Sequence, residues 1–301
     1  MVDVSIIIVN YNTKELTRQC IDSLFEHTHD INFEVIVVDN DSKDGSVELF
    51  AGDSRIVFIE SGANLGFGKA NNLGAERALG KYLFYLNSDT ILLNNAIKML
   101  FDYMEENMEK LHIGALGCLL LDSDNLPTHS FADFPKVGRF LKDEWGDHFL
   151  KRFGIKMKRL DEDVNVENLG NVISVDYVTG ADIFVARDVI NKYGGFDKDF
   201  FMYYEESEMQ YRWRKLGKLH SYVIKGPQIV HLEGKSQSGQ SVSKYLRQLN
   251  SQLLYFKKTC SPLKYYLYRV VFLFGRILTL PFQKFDKKQK KEYLNILFDF
   301  M

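Results

Sequence analysis

Two short apolar runs that end abruptly in acids constrain the fold of this 301-residue chain more than any other feature. Residues 35–38 run straight into Asp39, and residues 82–86 are followed by a turn-like segment that ends at Asp89. Such runs, rich in β-branched or aromatic residues, are typical of strands buried on both faces. Ligands of open parallel sheets bind beyond the carboxyl ends of the strands, so acids there indicate a polar ligand. Either acid alone is equally well explained as a turn former.

Strand-like runs alternate with helix-like segments through the first part of the chain, and Thr13 is the predicted N-cap of the first helix. This alternation indicates βαβ units. We therefore expect an α/β fold, a single Rossmann-type domain whose central, mostly parallel mixed sheet is flanked by helices. The predicted strands cover residues 5–9, 35–38, 56–59, 82–86 and 114–121, and the predicted helices cover 14–26, 45–50, 67–79 and 94–108.

The second half is less regular. Residues 122–172 are polar with weak periodicity, which favours an excursion or a lid-like insertion. From residue 244 onward the pattern is helical to the end of the chain. Between these regions the predicted strands are 175–178, 183–186, 221–224 and 228–231, and the predicted helices are 188–193 and 205–217.

Charge is distributed unevenly along the chain. The formal net charge of −2 argues against general binding to nucleic acid. Residues 257–301 nevertheless carry a net charge of +7, and the rest of the chain carries −9. We therefore predict a catalytic or binding domain over residues 1–256 and a basic, amphipathic helical extension over residues 257–301.

The three cysteines, Cys20, Cys118 and Cys260, lie far apart and have no zinc-site spacing, which favours a reducing compartment. The N-terminus has no basic segment followed by a cleavage site, so no signal peptide is predicted. These observations favour a cytoplasmic protein.

The apolar segment 262–282 is interrupted by Lys264, Arg269 and Arg276, which argues against a membrane-spanning helix. Two interpretations have equal weight. Residues 262–291 would lie on the inner face of the cytoplasmic membrane as a peripheral, basic amphipathic segment. Alternatively, these residues dock on the domain or on a second subunit of a homodimer.

Three glutamates, Glu205, Glu206 and Glu208, begin the predicted helix 205–217 directly after an aromatic run. The helix dipole favours acids in a first turn by about 0.3–1 kcal/mol each. Glu208 is also spaced four residues from Arg212, as in an ordinary helical ion pair. A carboxylate beside aromatic side chains is, however, partly desolvated, which raises its pKa towards that of a useful general base. The cluster is therefore compatible both with helix stabilisation and with catalysis.

Two further segments are ambiguous when taken alone. The glycine-containing segment 64–72 opens a predicted helix, where backbone N–H groups suit a phosphate, although a plain strand–helix turn explains it too. His231 follows a strand-like run, and a lone histidine is usually structural. It becomes a candidate metal or phosphate ligand only with an acid nearby in space, and Asp89 is the candidate.

Eight short motifs occur in an order that resembles glycosyltransferase family 2, the inverting nucleotide-sugar transferases with a GT-A type fold. The rhamnosyltransferase-like branch is the nearest, and the resemblance extends to about residue 256. The motifs are SIIIVNYN (5–12), VVDNDSKDGS (37–46), NLGFGKANN (64–72), LNSD (86–89), TGA (179–181), GGFD (194–197), EESEMQYR (205–212) and HLEGKS (231–236).

The resemblance implies a donor site at the ends of the first strands. Tyr11 would lie near the nucleobase, and Asp39 would bond to the base or the ribose. Asp89 matches the last acid of the family's metal-binding motif. The implied donor contacts are Val9, Tyr11, Asp39, Asn64, Gly68, Asn71, Ser88 and Asp89.

The resemblance also implies the reacting groups. Glu206 matches the position of the catalytic base, and Asp89 with His231 would hold a divalent cation, Mg²⁺ or Mn²⁺. The sugar and the acceptor would contact four further residues, Thr179, Gly180, Ala181 and Glu205.

Three positions depart from the family pattern. The metal motif offers a single acid, Asp89, which leaves the strictness of metal dependence open. Glu206 is one methylene longer than the usual aspartate, so Glu205 or Glu208 could substitute as the base. Asp182 follows the TGA motif where the family more often has an apolar or small residue.

The implied function is that of an inverting, metal-dependent glycosyltransferase of the hexosyltransferase type. It would move a sugar from a UDP- or dTDP-sugar to a glycan or lipid-linked acceptor in cell-surface polysaccharide synthesis. A nucleotide-sugar-binding sensor or scaffold without turnover is the alternative, because several catalytic motifs are altered. A nucleotide-cofactor oxidoreductase or a sugar nucleotidyltransferase is disfavoured, because no glycine-rich turn follows the first predicted strand.

Overall fold

The computed structural model describes residues 1–140, 170–232, 242–279 and 285–298. The chain packs into two compact units. The first unit comprises Met1–Asp133 and Leu169–Ser238, and the second comprises Phe134–Asn168 and Gly239–Met301. The predicted functional boundary at residue 256 stays a prediction.

The first unit contains twelve described strands and six described helices that bear on the site. The strands are β1 (Val4–Asn10), β2 (Phe33–Asp39), β3 (Ile56–Glu60), β4 (Tyr82–Asn87), β5 (Thr90–Leu92), β6 (Ile113–Cys118), β7 (Phe131–Ala132), β8 (Val172–Val175), β9 (Tyr177–Val178), β10 (Asp182–Ala186), β11 (His220–Ile224) and β12 (Ile229–His231). The helices are α1 (Lys14–His27), α2 (Ser46–Phe50), α3 (Phe67–Ala75), α4 (Ala96–Leu111), α5 (Arg187–Tyr193) and α6 (Glu205–Gly217).

Eight of these strands form the central sheet, in the order β3-β2-β1-β4-β10-β6-β11-β8. The first four are parallel to one another, as are β6 and β11, whereas β10 and β8 run antiparallel to their neighbours. This arrangement confirms the predicted mostly parallel mixed sheet with flanking helices. Its core includes the buried residues of β2 and β4, the two strands formed by the apolar runs from which the fold was predicted.

Register brings the carboxyl ends of three strands together. Asn10 at the end of β1 pairs with Asp39 at the end of β2, and Val9 pairs with Asn87 at the end of β4. The polar residues that follow these strands therefore lie along one edge of the sheet, as the sequence pattern predicts.

Several element boundaries differ from the predicted ones. Helix α3 ends at Ala75 instead of residue 79, and β6 ends at Cys118 instead of residue 121. The predicted strand 175–178 is divided between β8 and β9. Strand β12 lies within the predicted strand 228–231, but its antiparallel partner β5 was not predicted, because a strand of three residues shows almost no periodicity.

Thr13 occupies the predicted N-cap position, but its side chain makes no cap hydrogen bond. Its hydroxyl donates instead to Asn10 Oδ1 over 3.0 Å and lies 3.1 Å from Ser88 Oγ. The backbone N–H of Lys14 donates to Asp44 Oδ2 over 2.9 Å, so a carboxylate from a neighbouring turn supplies the acceptor. The hydroxyl of Thr13 thus links two strand ends.

The second unit contains α7 (Val242–Thr259), α8 (Pro262–Thr279) and α9 (Lys287–Phe298), which confirms the predicted C-terminal helices. The ring of Phe140, from the predicted insertion, packs edge-on against Phe256 at 5.5 Å between centroids. None of the described helices is long and apolar enough to cross a membrane.

Arg269 and Arg276, two of the three basic residues that interrupt the apolar segment 262–282, point into this helical unit. Arg269 is buried and donates to the backbone carbonyl of Leu297, and burial lowers the pKa of its guanidinium. Arg276 donates to the hydroxyl of Tyr245. These side chains hold α8 against its neighbours and do not form a free basic face.

Candidate active site

Asp39 is buried at the end of β2, with 2% of its surface exposed, and both of its oxygens accept hydrogen bonds from the protein. Asn10 Nδ2 donates to Oδ1 over 2.7 Å, and the backbone N–H of Ser42 donates to Oδ2 over 2.9 Å. Asn10 also donates to Ser42 Oγ over 3.0 Å. The carboxylate therefore holds the turn after β2 in one conformation. Asn10 is part of this site and was not assigned a role from the sequence.

Tyr11 lies beside this turn and is 47% exposed, directly after the last residue of β1. Val9, one of the predicted donor contacts, is partly buried in β1 and pairs with Val38 of β2. The structure thus places an exposed aromatic ring next to a rigid, acid-bearing turn. A planar base can stack on such a ring, and the turn offers polar groups beside it.

The segment from Asn64 to Asn71 is held by a network of amides. Asn64 Oδ1 accepts the backbone N–H of Gly66 over 3.0 Å and lies 3.2 Å from Asn40 Nδ2. Gly66 has φ of 82°, and a Cβ there would come within 2.0 Å of the carbonyl oxygen of Phe201. Only glycine fits at this approach.

The two remaining predicted donor contacts of this segment make contacts inside the fold. A Cβ on Gly68 would lie 2.8 Å from Phe196 Cβ, so glycine is required there for packing. Asn71 is buried, and its Nδ2 donates to the carbonyl of Phe67 over 3.1 Å. Their roles in donor binding stay predictions.

Asp89 lies between β4 and β5, where the pairing of β5 with β12 brings His231 to it. Asp89 Oδ1 and His231 Nε2 are 3.2 Å apart, and the side-chain amide of Asn87 is 3.3 Å from the same ring nitrogen. Ser88, which lies between Asn87 and Asp89 in the sequence, contacts the hydroxyl of Thr13. The acid that His231 requires as a candidate ligand is therefore in place. The rest of that motif, residues 233–236, lies outside the described residues.

A carboxylate and an imidazole nitrogen that face each other at this distance fit a divalent cation with two protein ligands. This pair suits Mn²⁺ better than Mg²⁺, which prefers oxygen ligands alone. In the part of the chain that the structure describes, no group of three or more His, Cys, Asp or Glu side chains converges as a metal site. Further ligands would have to come from the diphosphate and from water.

Residues Thr179, Gly180 and Ala181 connect this edge to the glutamates of α6. The backbone N–H of Asn87 donates to the carbonyl of Ala181 over 2.9 Å. A Cβ on Gly180 would lie 3.4 Å from the ring of Phe67 and 3.9 Å from Glu206 Cγ. Thr179 is anchored by two bonds to the carbonyl of Ser130. The predicted motif residues are thus brought together in one unit.

Glu205 and Glu206 are adjacent in sequence but lie in different surroundings. Glu205 is 3% exposed, and its Oε2 has no hydrogen-bond partner among the described residues. Burial, and secondarily the charge of Glu206, raises the pKa of Glu205 well above that of an ordinary glutamate. Glu206 is partly exposed, and burial raises its pKa as well, opposed by hydrogen bonds from its own N–H and that of Ser207. Glu206 is therefore the one of the two glutamates with access to solvent.

Two aromatic residues in strained conformations precede these glutamates. Tyr203 and Tyr204 have φ of 73° and 68°, a conformation that costs on the order of 1–3 kcal/mol at a bulky residue. Ser207 Oγ donates to the carbonyl of Tyr204 over 3.0 Å, and the N–H of Glu208 donates to it over 2.9 Å. The first turn of α6 thus fixes the strained segment, and with it the direction of Glu206.

Glu208 does not share the surroundings of its neighbours. Its Oε1 is 3.1 Å from Nε of Arg212, whose guanidinium also donates to the backbone carbonyls of Tyr193 and Gly195. Glu208 is thus a buried ion-pair partner that orients Arg212 towards the GGFD loop. This contact favours the helical ion-pair interpretation and weakens the case for Glu208 as a base.

Gln210 is a further residue of the site that the sequence pattern did not identify. Its amide donates to the carbonyl of Val178 over 2.8 Å and accepts the N–H of Val178 over 2.9 Å, as a neighbouring strand would. Ser221 Oγ donates to the same amide oxygen over 2.9 Å. Gln210 thereby fixes α6 next to Thr179.

Asp182, the departure after the TGA motif, is fully buried in β10. Its Oδ2 accepts the backbone N–H of Cys118 over 2.6 Å, and its Oδ1 has no partner among the described residues. Burial raises the pKa of Asp182 to about 7. The side chain therefore bonds β10 to β6 from inside the core.

Comparison with known proteins agrees with this geometry. The sequence profile of Glycosyl transferase family 2 matches residues 5–158, which include Asp39 and Asp89. An uncharacterized glycosyltransferase of Rickettsia bellii is 38% identical over 107 residues, which cover 35% of this chain and 15% of that protein. The low-salt glycan biosynthesis hexosyltransferase Agl10 of Haloferax volcanii is 26% identical over 218 residues, which cover 71% of this chain and 62% of that protein.

The fold is similar to that of GalNAc-T7 in its structure with UDP, GalNAc and Mn²⁺. The TM-score is 0.61 at 15% sequence identity, over 98% of this chain and 54% of the other. The chain spans less than two thirds of the length of both relatives named above. The family profile covers about half of this chain and includes the acid-bearing edge of its sheet, and the chain therefore belongs to glycosyltransferase family 2.

Proposed function

We propose that the chain transfers a hexosyl group from a nucleotide-diphosphate sugar to an acceptor hydroxyl, with inversion at the anomeric carbon. One observation carries the proposal. A partly exposed glutamate with a raised pKa, Glu206, lies beside Gly180, and the same short segment is bonded to the turn that bears Asp89. A base and a diphosphate site joined in this way suit a single displacement.

In this reaction Glu206 accepts the proton of the acceptor hydroxyl as its oxygen attacks the anomeric carbon. The new carbon–oxygen bond forms on the face opposite the diphosphate, and the bond to the diphosphate oxygen breaks. General-base assistance of this kind contributes about 10²–10⁴-fold in rate. Glu205, whose Oε2 is buried without a hydrogen-bond partner among the described residues, is proposed to contact the sugar or the acceptor.

The nucleotide would bind at the ends of β1 and β2. Tyr11 offers an exposed ring for the base, and the turn held by Asp39 offers polar groups for the base or the ribose. We propose a UDP- or dTDP-sugar as the donor, and the crystal structure of GalNAc-T7 with UDP supports the former. Val9, Asn64, Gly68, Asn71 and Ser88 complete the proposed donor contacts.

Asp89 and His231 would hold a divalent cation, and Mn²⁺ fits this pair of ligands best. A cation bound there would neutralise the charge that builds on the leaving diphosphate. Asn87 Nδ2 lies 3.3 Å from His231 Nε2, so this amide would have to give up the Nε2 lone pair when a cation binds there.

The acceptor is proposed to be a glycan or a lipid-linked sugar, and the protein is proposed to act in the cytoplasm. The name of Agl10, a hexosyltransferase of glycan biosynthesis, supports this class of acceptor. The catalytic domain is proposed to span residues 1–256. The assignment to the rhamnosyltransferase-like branch and a homodimeric state stay predictions.

A donor panel tests the proposal. The purified chain is incubated with UDP-, dTDP- and GDP-sugars in Mn²⁺, in Mg²⁺ or in chelator, and release of the nucleotide diphosphate is measured. We expect hydrolysis of one nucleotide class that requires a divalent cation. Tight binding of a donor without hydrolysis or transfer to any offered acceptor would favour the sensor hypothesis instead.

A further inference from the structure

Helix α8 has apolar side chains on two opposite faces. One face packs inside the second unit: Tyr268 and Phe272 are 1% exposed, and the ring of Tyr268 lies 4.8 Å from that of Phe256. The opposite face is exposed, each of its members by 41–70% of its surface. This α8 apolar face consists of Leu263, Tyr266, Leu267, Val270, Val271, Phe274 and Ile277.

The spacing of these residues makes the face continuous. They recur three or four positions apart, so they form one stripe along the helix. No charged residue interrupts the stripe, and α8 contains no acid at all. Monomeric soluble proteins rarely expose contiguous apolar patches larger than a few hundred Å². A stripe of seven large side chains therefore indicates a surface that another body covers.

The exposed charges of the second unit indicate what that body is. Lys257, Lys258 and Lys264 are exposed near the start of α8, and four lysines are exposed on α9, at 287, 288, 290 and 291. Arg269 and Arg276 are used inside the unit, so among the described residues from 257 to 298 the exposed basic side chains are these lysines. Without these two arginines, residues 257–301 still carry a net charge of +5, so a second copy on this face would place two such charges against each other.

We propose that the α8 apolar face lies in the interface of a membrane that contains anionic lipid. The aromatic and aliphatic stripe enters the boundary between headgroups and acyl chains, and the lysines contact the anionic headgroups. The proposal concerns the second unit and does not depend on the transfer reaction proposed for the first.

Vesicle sedimentation of the full-length chain tests this proposal. Phosphatidylcholine vesicles with and without phosphatidylglycerol are compared at low and high salt. The test variant is Leu267→Glu/Phe274→Glu, at positions 57% and 60% exposed, which place acids on the stripe without entering the core. The matched control is Leu79→Glu/Leu216→Glu, at positions that are each 64% exposed in the first unit.

We expect the wild type and the control to sediment with anionic vesicles at low salt, and the stripe variant to stay in the supernatant. Each substitution of Lys287, Lys288, Lys290 or Lys291 by glutamine is expected to lower partitioning about five-fold. The proposal is overturned if the wild type does not sediment, or if the stripe variant sediments as the wild type does. It is also overturned if the chain elutes as a dimer that the stripe substitutions dissociate. Hydrolysis of soluble donor, assayed on the same variants, reports on the first unit separately.

Discussion

The site has two parts that differ in how completely their polar groups are satisfied: the ends of β1 and β2, here the satisfied edge, and the start of α6, here the reactive edge. At the ends of β1 and β2, each oxygen of Asp39 accepts a bond from the protein, and Asn10 and Ser42 complete the network. At the start of α6, Glu205 is buried with an unpartnered oxygen, and both glutamates have raised pKa values. Two tyrosines there have positive φ angles.

This difference indicates a division of work. A rigid, satisfied edge is suited to binding a nucleoside, because little ordering remains to be done when the ligand arrives. An edge with strained backbone and buried, titratable groups is suited to moving a proton, and such features cluster at reactive sites. The two edges are joined through Gly180, Ala181 and the turn at Asp89.

The largest expected effect is on the reactive edge. Glu206→Gln removes the proton acceptor and should lower the transfer rate about 10²–10⁴-fold. The measurement is transfer to the acceptor at saturating donor. Glu15→Gln, in an exposed ion pair on α1, is the control and should transfer as the wild type does. A Glu206→Gln enzyme with the wild-type rate would remove this residue from the mechanism.

The next largest effect is expected at Asp89, a proposed metal ligand in the turn that joins the two edges. Asp89→Asn should raise the Mn²⁺ concentration needed for half-maximal donor hydrolysis at least about tenfold, because one of two protein ligands is weakened. A chelator should abolish hydrolysis by the wild type. Asp102→Asn, in an exposed pair with Lys98, serves as the control. An unchanged Mn²⁺ response of Asp89→Asn would contradict the assignment of this site.

A substitution at the satisfied edge should lower the free energy of unfolding. In Asp39→Asn the side-chain amide cannot accept both existing bonds, and leaving a buried donor unpaired costs about 1–3 kcal/mol. Denaturant unfolding measures this loss. Asp22→Asn, at an exposed position on α1, should change the free energy of unfolding by less than about 0.5 kcal/mol. Equal stability of the two variants would show that the Asp39 network is dispensable.

The smallest expected effect concerns the buried acid. A carboxyl whose folded pKa is raised binds its proton more tightly when folded, so its contribution to stability is lost as pH rises from its unfolded pKa to its folded pKa. Glu205→Gln should therefore be more stable than the wild type at neutral pH. Each kcal/mol added to the free energy of unfolding should raise the Tm by about 2–4 °C.

This stabilisation should shrink as the pH falls through 4.5, the ordinary pKa of a glutamate, because below that pH the wild-type carboxyl is protonated in both the folded and the unfolded state. Thermal unfolding of both proteins across this range makes the comparison. A difference in Tm that does not vary with pH would point to a packing effect and not to the raised pKa of Glu205.

Local pattern predicted much of this architecture. The apolar runs before Asp39 and Asp89 predicted buried parallel strands and the edge where they end. A strand that is buried on both faces has consecutive apolar residues, and this pattern is visible in the sequence. The first turn of α6 was predicted from its acids. The sequence analysis named Asp89 as the acid that would have to lie near His231. The structure places Asp89 Oδ1 and His231 Nε2 3.2 Å apart.

Contacts between distant residues could not be predicted in this way. Asn72 bonds to the backbone of Phe196, 124 residues away, and nothing near either residue signals the partner. Gln210 was missed because an amide in a helix is usually exposed. The burial of Arg269 could not be predicted, because composition gives the charge of a segment but not the direction in which each side chain points.

The division between the two edges is tested most directly by measuring donor Kd and saturated transfer rate on the same preparations of Glu206→Gln and Asp39→Asn. The predicted result is that Glu206→Gln keeps the wild-type Kd and loses its rate, while Asp39→Asn binds donor more weakly and keeps most of its saturated rate. Loss of the same quantity in both variants, or the reverse assignment, would contradict the account.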